Sequence, residues 1–410
     1  MEGMLKKMAK VAVMGYGVVG SGVVEVLNVN KDSIAKKASE KVEVKYILDI
    51  REFKDDPFGH LVINDFEKIL NDDEISVVVE VMGGLKPAYD FTKRLLERGK
   101  HVVTSNKELV AAHGAELLKI AKEKNINYLF EASVGGGIPV IRPLNQCLAA
   151  NEINSVKGIL NGTTNYILTQ MFKEGVDFES ALSDAQKKGY AERNPAADVE
   201  GHDACRKISI LSSLICGKKV NYEKIKTEGI TDITSIDVAY AEKIGSVIKL
   251  IGSADIKDGK VYSSVEPSIL KNEHPLAGIE DVFNGVLVNG NAVDDVMFYG
   301  RGAGKLPTAS AVVADVIDCV RNINRNNNYF WEDSDGEFIT DYEEISASFL
   351  VRIKGDYESL RKTIDEKFPG APIVIAADDE FAFLSPEMKI KDLDKIISGL
   401  PVIKKIRICK

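Results

Sequence analysis

Histidine and cysteine are scarce in this chain, five of each in 410 residues. The cysteines, at positions 147, 205, 216, 319 and 409, include no C-x-x-C pair, which removes the usual zinc-ribbon and thiol-redox spacings. None of the histidines has another at metal-site spacing, so a zinc centre is not expected. An odd cysteine count in a long chain fits reduced thiols in the cytoplasm, and all five are expected to be buried structural residues. An excess of basic charge is lacking too. The formal net charge of −9 argues against a nucleic-acid or anionic-membrane surface and for small-molecule partners. No run of about 20 apolar residues occurs, so no transmembrane helix is expected.

Lys6, Lys7 and Lys10 precede a charge-free run from Val11 to Val24 that has the look of a secretory leader. Its glycines point elsewhere. Gly15, Gly17, Gly20 and Gly22 stand at the spacing of a tight turn entering a helix, and no Ala-x-Ala cleavage site follows. The stretch is read as mature structure.

With 45% hydrophobic and 28% charged residues, the composition is that of a globular protein, long enough for two or three domains. KVAVM at 10–14 reads as a buried strand, and GYGVVG at 15–20 matches G-x-G-x-x-G leading into a helix that reaches about Leu27. Gly15 permits the tight turn, Gly17 lets a pyrophosphate approach the backbone, and Gly20 lets helix pack on strand. VEVKYIL at 42–48 is a second strand ending in Asp49, where a ribose-binding acid is expected; Arg51, two residues on, is suited to the extra phosphate of NADP. NAD and NADP both stay open.

Strands at 75–81, 101–104 and 127–130, with helices from about Pro87 to Glu97 and Glu108 to Lys124, complete a doubly wound parallel sheet of six strands, a Rossmann-type α/β domain. Such sheets bind ligands in the loops beyond their strand C-termini. Three of those loops are unusual: Met82-Gly83-Gly84, Thr104 to Lys107, and Glu131 to Pro139. A lysine at 107 opposes the dipole of the helix it begins, which suggests that it answers to a ligand instead.

Past Pro139 the pattern predicts a helix to about Leu148, a strand near 153–160, and a loop with a helix cap at Asn161 to Thr164, supplied by Thr163 or Thr164. Two helices lead to GYAERNPAADVEGHDACRK at 189–207. Asp203 and Lys207 are four apart, hence on one helix face. An exposed pair of that kind contributes only about 0.3–0.5 kcal/mol, but this helix continues into Ile208, Ile210, Leu211, Leu214 and Ile215 and has little wet face for decorative charge. Lysine and carboxylates beside a buried helix suggest a site.

From Ser246 onward strands return, with an Asn289-Gly290 turn signalling a hairpin. GRGAG at 300–304, opening a small-residue helix, suggests that the chain rejoins the first domain and helps cover a cofactor. Residues 322–345 read as a linker. The remainder reads strand 346–354, helix 356–367, strands 372–377 and 380–385, helix 390–398 and strand 401–408, the order of a ferredoxin-like unit. The expected division is therefore 1–140 with 301–321 as the nucleotide-binding domain, 141–300 as an α+β catalytic and dimerisation domain, 322–345 as linker and 346–410 as a ferredoxin-like domain.

GYGVVG, VVVEVMGG, TSNKELVA, EASVGGGIP, ILNGTTNYIL, GYAE followed by DVEGHDACRK, and GRGAG with PTASAV occur in this order over residues 10 to about 320. In this the chain resembles the monofunctional homoserine dehydrogenases. The resemblance implies NAD(P)H-dependent, reversible reduction of L-aspartate 4-semialdehyde to L-homoserine, in threonine and methionine biosynthesis, by a cytoplasmic homodimer. It implies Lys207, Lys107 and Asp203 at the catalytic centre, with Glu192, Asp198, Asp203 and Lys207 on the amino acid. Around the cofactor it implies Gly15, Gly17, Val18, Val19, Gly20, Asp49 and Arg51, then Gly83, Ser105 and Lys107, and finally Gly189, Glu192 and Gly302. It also implies a sodium ion held by Glu131 and by carbonyls of Val134, Gly136 and Ile138, which suits a hard cation beside one carboxylate. The C-terminal unit resembles ACT modules in element order, although KGDYESL stands where such modules usually carry a Pro-Gly turn. Two other readings use the same fold: another amino acid semialdehyde reductase, and a non-catalytic NAD(P)-sensing regulator, which leaves the lysines and acids without a task. A phosphorylating aldehyde dehydrogenase needs a cysteine nucleophile, and none lies in the three loops.

Overall fold

The computed structural model describes residues 8–327 and 329–409; Lys6 and Lys7 of the basic stretch lie outside the described residues. Two compact units result. One takes the chain up to Asn151, with Ser209–Tyr222 and Gly300–Asp335, and the other takes Glu152–Ile208, Glu223–Tyr299 and Gly336 onward.

The first unit holds β1 (Met8–Met14), β2 (Lys41–Leu48), β3 (Val62–Ile63), β4 (Ile75–Glu80), β5 (His101–Thr104) and β6 (Tyr128–Leu129) in one sheet of order β3-β2-β1-β4-β5-β6. All neighbours are parallel. Val11, Val13, Val77, Val79, Val102 and Val103 are wholly buried, because a parallel strand covered on both faces wants β-branched residues at successive positions rather than alternating ones. The strand order reverses between β1 and β4, which puts the ligand crevice at the loops that follow them. This is the nucleotide-binding fold expected.

The helix Lys305–Arg321 belongs to this unit and packs along the helix Val18–Val29. Gly22 lets them touch: a Cβ there would stand 2.8 Å from the Lys305 carbonyl and 3.1 Å from the Ala309 methyl. The stretch read as a linker does not run free over the surface. Tyr329 and Trp331 are buried, and a Cβ on Gly114 would sit 2.3 Å from the Trp331 ring. The helix anticipated from Pro139 to Leu148 is present over 141–147, with its later part, Pro143–Cys147, wound as a π-helix.

The second unit is built on an eleven-stranded sheet. Its main members are β7 (Ile153–Ile159), β8 (Ser246–Lys257), β9 (Lys260–Lys271), β10 (Phe283–Gly290), β11 (Asp294–Arg301), β12 (Ser346–Lys354), β13 (Ile373–Ala377), β14 (Glu380–Leu384) and β15 (Val402–Cys409), in the order β11-β10-β7-β8-β9-β15-β12-β14-β13. Asn289 and Gly290 stay in strand β10 opposite Ser155 and Ile153, so the hairpin turns at 291–293 instead. Asp294, at φ 57°, supplies the left-handed residue that lets the chain re-enter the sheet.

The ferredoxin-like elements appear as read, around Phe349, Val351, Ile353, Ile364, Phe381 and Leu393. Their edge strand β15 pairs in parallel with β9, so the sheet is continuous and the β9 edge is covered rather than open to another chain. Only two cysteines are buried as expected, Cys205 and Cys319; Cys147 is exposed, and Cys216 and Cys409 are half-buried. No helix among the described residues is long and apolar enough to cross a membrane.

Candidate active site

The glycine turn is held from two sides. Gly15, at φ 96°, donates its N–H to the Leu48 carbonyl at 2.8 Å, and a Cβ on Gly20 would stand 1.9 Å from the Gly15 carbonyl oxygen. Gly17, the residue capping the Val18–Val29 helix, has nothing within 4 Å of where a Cβ would be, and no side chain caps its helix. The cap thus offers the first-turn N–H groups no side-chain acceptor and leaves room beside Gly17, which suits a pyrophosphate. Val18 is 67% exposed at the mouth of the turn, and Val19 is half-buried beside it.

Asp49 ties the turn to β2. Its carboxylate accepts the Tyr16 N–H at 2.8 Å and, from Arg51, the N–H at 3.0 Å, Nε at 2.9 Å and Nη2 at 2.9 Å. A carboxylate has about four acceptor positions, and these four donors fill them. The Arg51 fork holds Asp49 well below the usual carboxylate range. In this arrangement Asp49 builds the turn and aims Arg51, which lies over the Phe53 ring with its guanidinium 5.1 Å from the centroid. The fork takes up Nε and Nη2 and leaves Nη1. The residues fit a dinucleotide.

The other loops of this unit complete the crevice. Gly83 and Gly84 have φ of 76° and 68°, and a Cβ on either would meet no atom within 4 Å. Ser105 is half-buried, its N–H directed to the Glu80 carbonyl. Lys107 begins the helix Lys107–Glu123, with Asn106 as its cap accepting the Leu109 N–H at 3.1 Å. The Gly302 carbonyl lies where a Cβ on Gly136 would be, at 2.1 Å, and the Gly137 N–H donates to the Arg301 carbonyl. GRGAG therefore does rejoin the first unit.

Glu131 is buried and spends its carboxylate on backbone: Oε1 accepts the N–H groups of Val140 at 2.6 Å and Ile141 at 2.8 Å, and Oε2 that of Arg142 at 2.7 Å. Its own N–H donates to Asp315, which the Arg142 guanidinium also contacts. With three of about four acceptor positions filled, one direction on Oε2 remains for a cation, next to a loop where Gly136 is left-handed and Val134 and Ile138 are buried. The fit to a small cation is through that one oxygen and the loop carbonyls.

In the second unit the charged stretch closes into a cluster. Asp203 and Lys207 lie on the first turns of the helix His202–Cys216 and are buried, at 5% and 9% exposure. Lys207 Nζ donates to Asp203 Oδ2 and to the Leu160 carbonyl, each at 2.7 Å. The cap of the helix Gly162–Glu174 is Asn161 rather than either threonine, and its Nδ2 reaches Asp198 at 2.7 Å and Asp203 at 2.9 Å. Asparagine is a preferred N-cap that leaves its amide end to donate elsewhere, and that preference is the signal by which the sequence offers it. Thr163 donates to the Tyr190 carbonyl at 2.6 Å and so steadies the 189–192 segment. Gly189 there is left-handed and exposed, and Glu192 is exposed, its carbonyl held by Gln186. The structure brings Asp198, Asp203 and Lys207 together around Asn161; it leaves the Glu192 side chain out of that cluster. A cavity of about 670 Å³ elsewhere in this unit, lined among others by Asp255, Tyr262 and Arg407, contains none of these residues.

A doubly wound sheet whose glycine turn is braced for a pyrophosphate defines a dinucleotide-binding protein. Known proteins narrow the class. The family model for the homoserine dehydrogenase NAD-binding domain matches residues 15–131, and that for homoserine dehydrogenase matches residues 139–317. The homoserine dehydrogenase of Synechocystis is 45% identical over 318 residues, 76% of this chain and 73% of its own, and that of Bacillus subtilis 40% identical over 320 residues, 77% and 74%. A solved homoserine dehydrogenase from Thiobacillus denitrificans superposes with a TM-score of 0.90 at 34% identity, covering 98% of this chain and 99% of that one. A hyperthermophilic archaeal homoserine dehydrogenase in complex with NADPH superposes at 0.66 with 26% identity, covering 76% and 98%. The chain belongs to the homoserine dehydrogenase family: it is an NAD(P)-dependent oxidoreductase of amino-acid biosynthesis.

Proposed function

We propose that Lys207 is the proton donor in reduction of L-aspartate 4-semialdehyde and the base in oxidation of L-homoserine. Bound NAD(P)H supplies the hydride when present. Addition to the aldehyde carbon leaves an alkoxide, which needs a proton at its oxygen. The observation that carries this reading is the state of the Lys207 amine: an ammonium has three donors, and Asp203 and the Leu160 carbonyl take two. The third is left for a substrate oxygen. Asn161 holds Asp203 in place, so the carboxylate orients the amine, and Asp198 beside it receives the substrate ammonium. Lys107 steadies the developing oxyanion from the loop after β5.

Support for the remaining assignments is chemical. Arg51, aimed by Asp49 with Nη1 left over, suits a 2′-phosphate and favours NADP(H). The open direction on Glu131 Oε2 and the loop carbonyls of Val134, Gly136 and Ile138 suit a sodium ion. The two-fold habit of soluble enzymes supports a homodimer, and five free thiols support a reducing compartment such as the cytoplasm.

Replacing the amine tests the central role. Lys207→Ala is expected to lower kcat for NAD(P)H-dependent aldehyde reduction by about 10² to 10⁴, while NADPH binding, which rests on the glycine turn, stays near that of the parent. Near-normal turnover in that variant would overturn the assignment.

A further inference from the structure

Glu80 closes β4 and is wholly buried, although no step of the reaction calls for it. A buried carboxyl is costly unless donors meet it. Burial raises its pKa, and groups from two loops pull it back. From its own loop the Met82 N–H donates to Oε1 at 2.8 Å. From the neighbouring strand Thr104, its register partner in β5, donates Oγ1–H to Oε2 at 2.6 Å. The same Thr104 oxygen accepts the Asn106 N–H at 2.9 Å. Asn106 in turn donates Nδ2–H to the Gly84 carbonyl at 2.6 Å and caps the helix on which Lys107 is the first residue. The contacts form a ring: Glu80, Met82, Gly84, Asn106, Thr104 and back to Glu80.

We propose that Glu80 is a positioning residue that fixes the loop 81–84 against the loop 104–107, and thereby sets where Lys107 starts its helix and how Gly83 and Gly84 face the nucleotide. The inference rests on the reading that these loops meet cofactor and substrate. The shape of the ring favours this over simple core filling. A buried acid that served packing alone would need partners of any kind, whereas this ring runs through the backbone of two ligand-facing loops and the cap of the helix that follows the second. Only the pair Thr104 and Glu80 lies within the sheet itself.

Two nearly isosteric changes break the ring at one bond each. Glu80→Gln offers Thr104 a donor where it had an acceptor, and Thr104→Val removes the hydroxyl; Thr104→Ser restores it. The expected result is an NADPH Kd, read from the fluorescence of the bound dinucleotide, weaker by about 10-fold, and a kcat/KM for aldehyde reduction lower by about 10²-fold, the size of a misplacement near 1 Å. Thr104→Val also takes a donor from the buried carboxyl and is expected to lower the melting temperature, so the kinetics are read in the folded fraction, and Thr104→Ser recovers most of both losses. Parental Kd and kcat/KM in both Glu80→Gln and Thr104→Val would overturn the proposal, as would a loss of stability with unchanged kinetics in the folded fraction. Should Glu80→Gln fail to fold, Thr104→Val carries the test. A parent chain without aldehyde reduction would refute the reaction, not the loop tie, since NADPH binding is measured without turnover.

Discussion

Two buried charge clusters in the second unit solve the same problem in opposite ways. Arg352 is 4% exposed and uses its whole fork: Nε and Nη2 on Glu380 at 2.9 and 2.7 Å, and Nη1 on Asp237 at 2.5 Å. Asp237 also accepts the Thr234 N–H at 2.8 Å in a capping box and takes Lys404 at 3.2 Å. Each of the three guanidinium nitrogens meets a carboxylate, so no nitrogen of the fork is left over and the cluster is closed. Lys207, equally buried, keeps one N–H in hand, and its partner Asp203 is shared with Asn161. A closed cluster contributes to holding the fold, while an open one has something to offer a ligand.

The difference predicts a separation of effects. Arg352→Met leaves Asp237 and Glu380 buried without their counter-charge, and breaking a buried pair from one side costs about 3–5 kcal/mol. The loss is expected in denaturant unfolding, with kcat per folded molecule unchanged, because Arg352 joins the helix Ser235–Lys243 to strands β12 and β14 and touches no residue of the Asn161 cluster. Lost turnover at parental stability would erase the distinction between the two clusters.

Which of these features the sequence makes legible follows from how local their causes are. The glycine turn is readable because its three glycines fall within six residues and the tightest contact, Gly20 on the Gly15 carbonyl, is local, and the parallel sheet because Val77 to Val79 can be so uniformly apolar only when both faces are covered. The pair Asp203 and Lys207 is readable from helical spacing. Asn161 is not, since the carboxylates it binds are 37 and 42 residues away, and nothing in a Gly-Thr-Thr stretch reveals that its cap residue also has an outward task. The join of β15 to β9 is hidden for the same reason: alternation identifies a strand, but not which distant edge awaits it. Cys147 departs from the burial expected of cysteine because a π-helical turn carries it to the surface.

A third buried basic side chain sharpens the comparison. Lys249 donates to the Asn165 side-chain oxygen at 3.0 Å and to the Ile279 carbonyl at 2.6 Å, both neutral. Burial outweighs the nearby Glu280 and Asp281 carboxylates, neither of which it hydrogen-bonds, and lowers its pKa to about 8. Between that value and the ordinary lysine value near 10.5 the unfolded chain binds the extra proton, so stability rises with pH across this window, by up to about 3 kcal/mol from this group. Below pH 8 both states are protonated and the slope vanishes. Lys249→Met is expected to remove the rise between about pH 8 and 9.5, before tyrosine ionisation in the unfolded state intrudes; an unchanged slope in unfolding measured across that range would show that the amine is not the source.

The smallest expected effect lies in the first unit, where the pairing of Asp49 with Arg51 is partly open, like the Lys207 cluster, but at the surface. All of Asp49's acceptor positions are filled, so its contribution to nucleotide choice passes through the arginine it aims. Arg51→Ala is expected to weaken NADPH relative to NADH by roughly 10-fold, the worth of one charge-assisted hydrogen bond, and to do so less at high salt because the group is exposed. Steady-state KM values for the two dinucleotides decide it. If both rise together, Arg51 serves the turn and not the 2′-phosphate, and Asp49 with Arg51 is then a closed cluster after all.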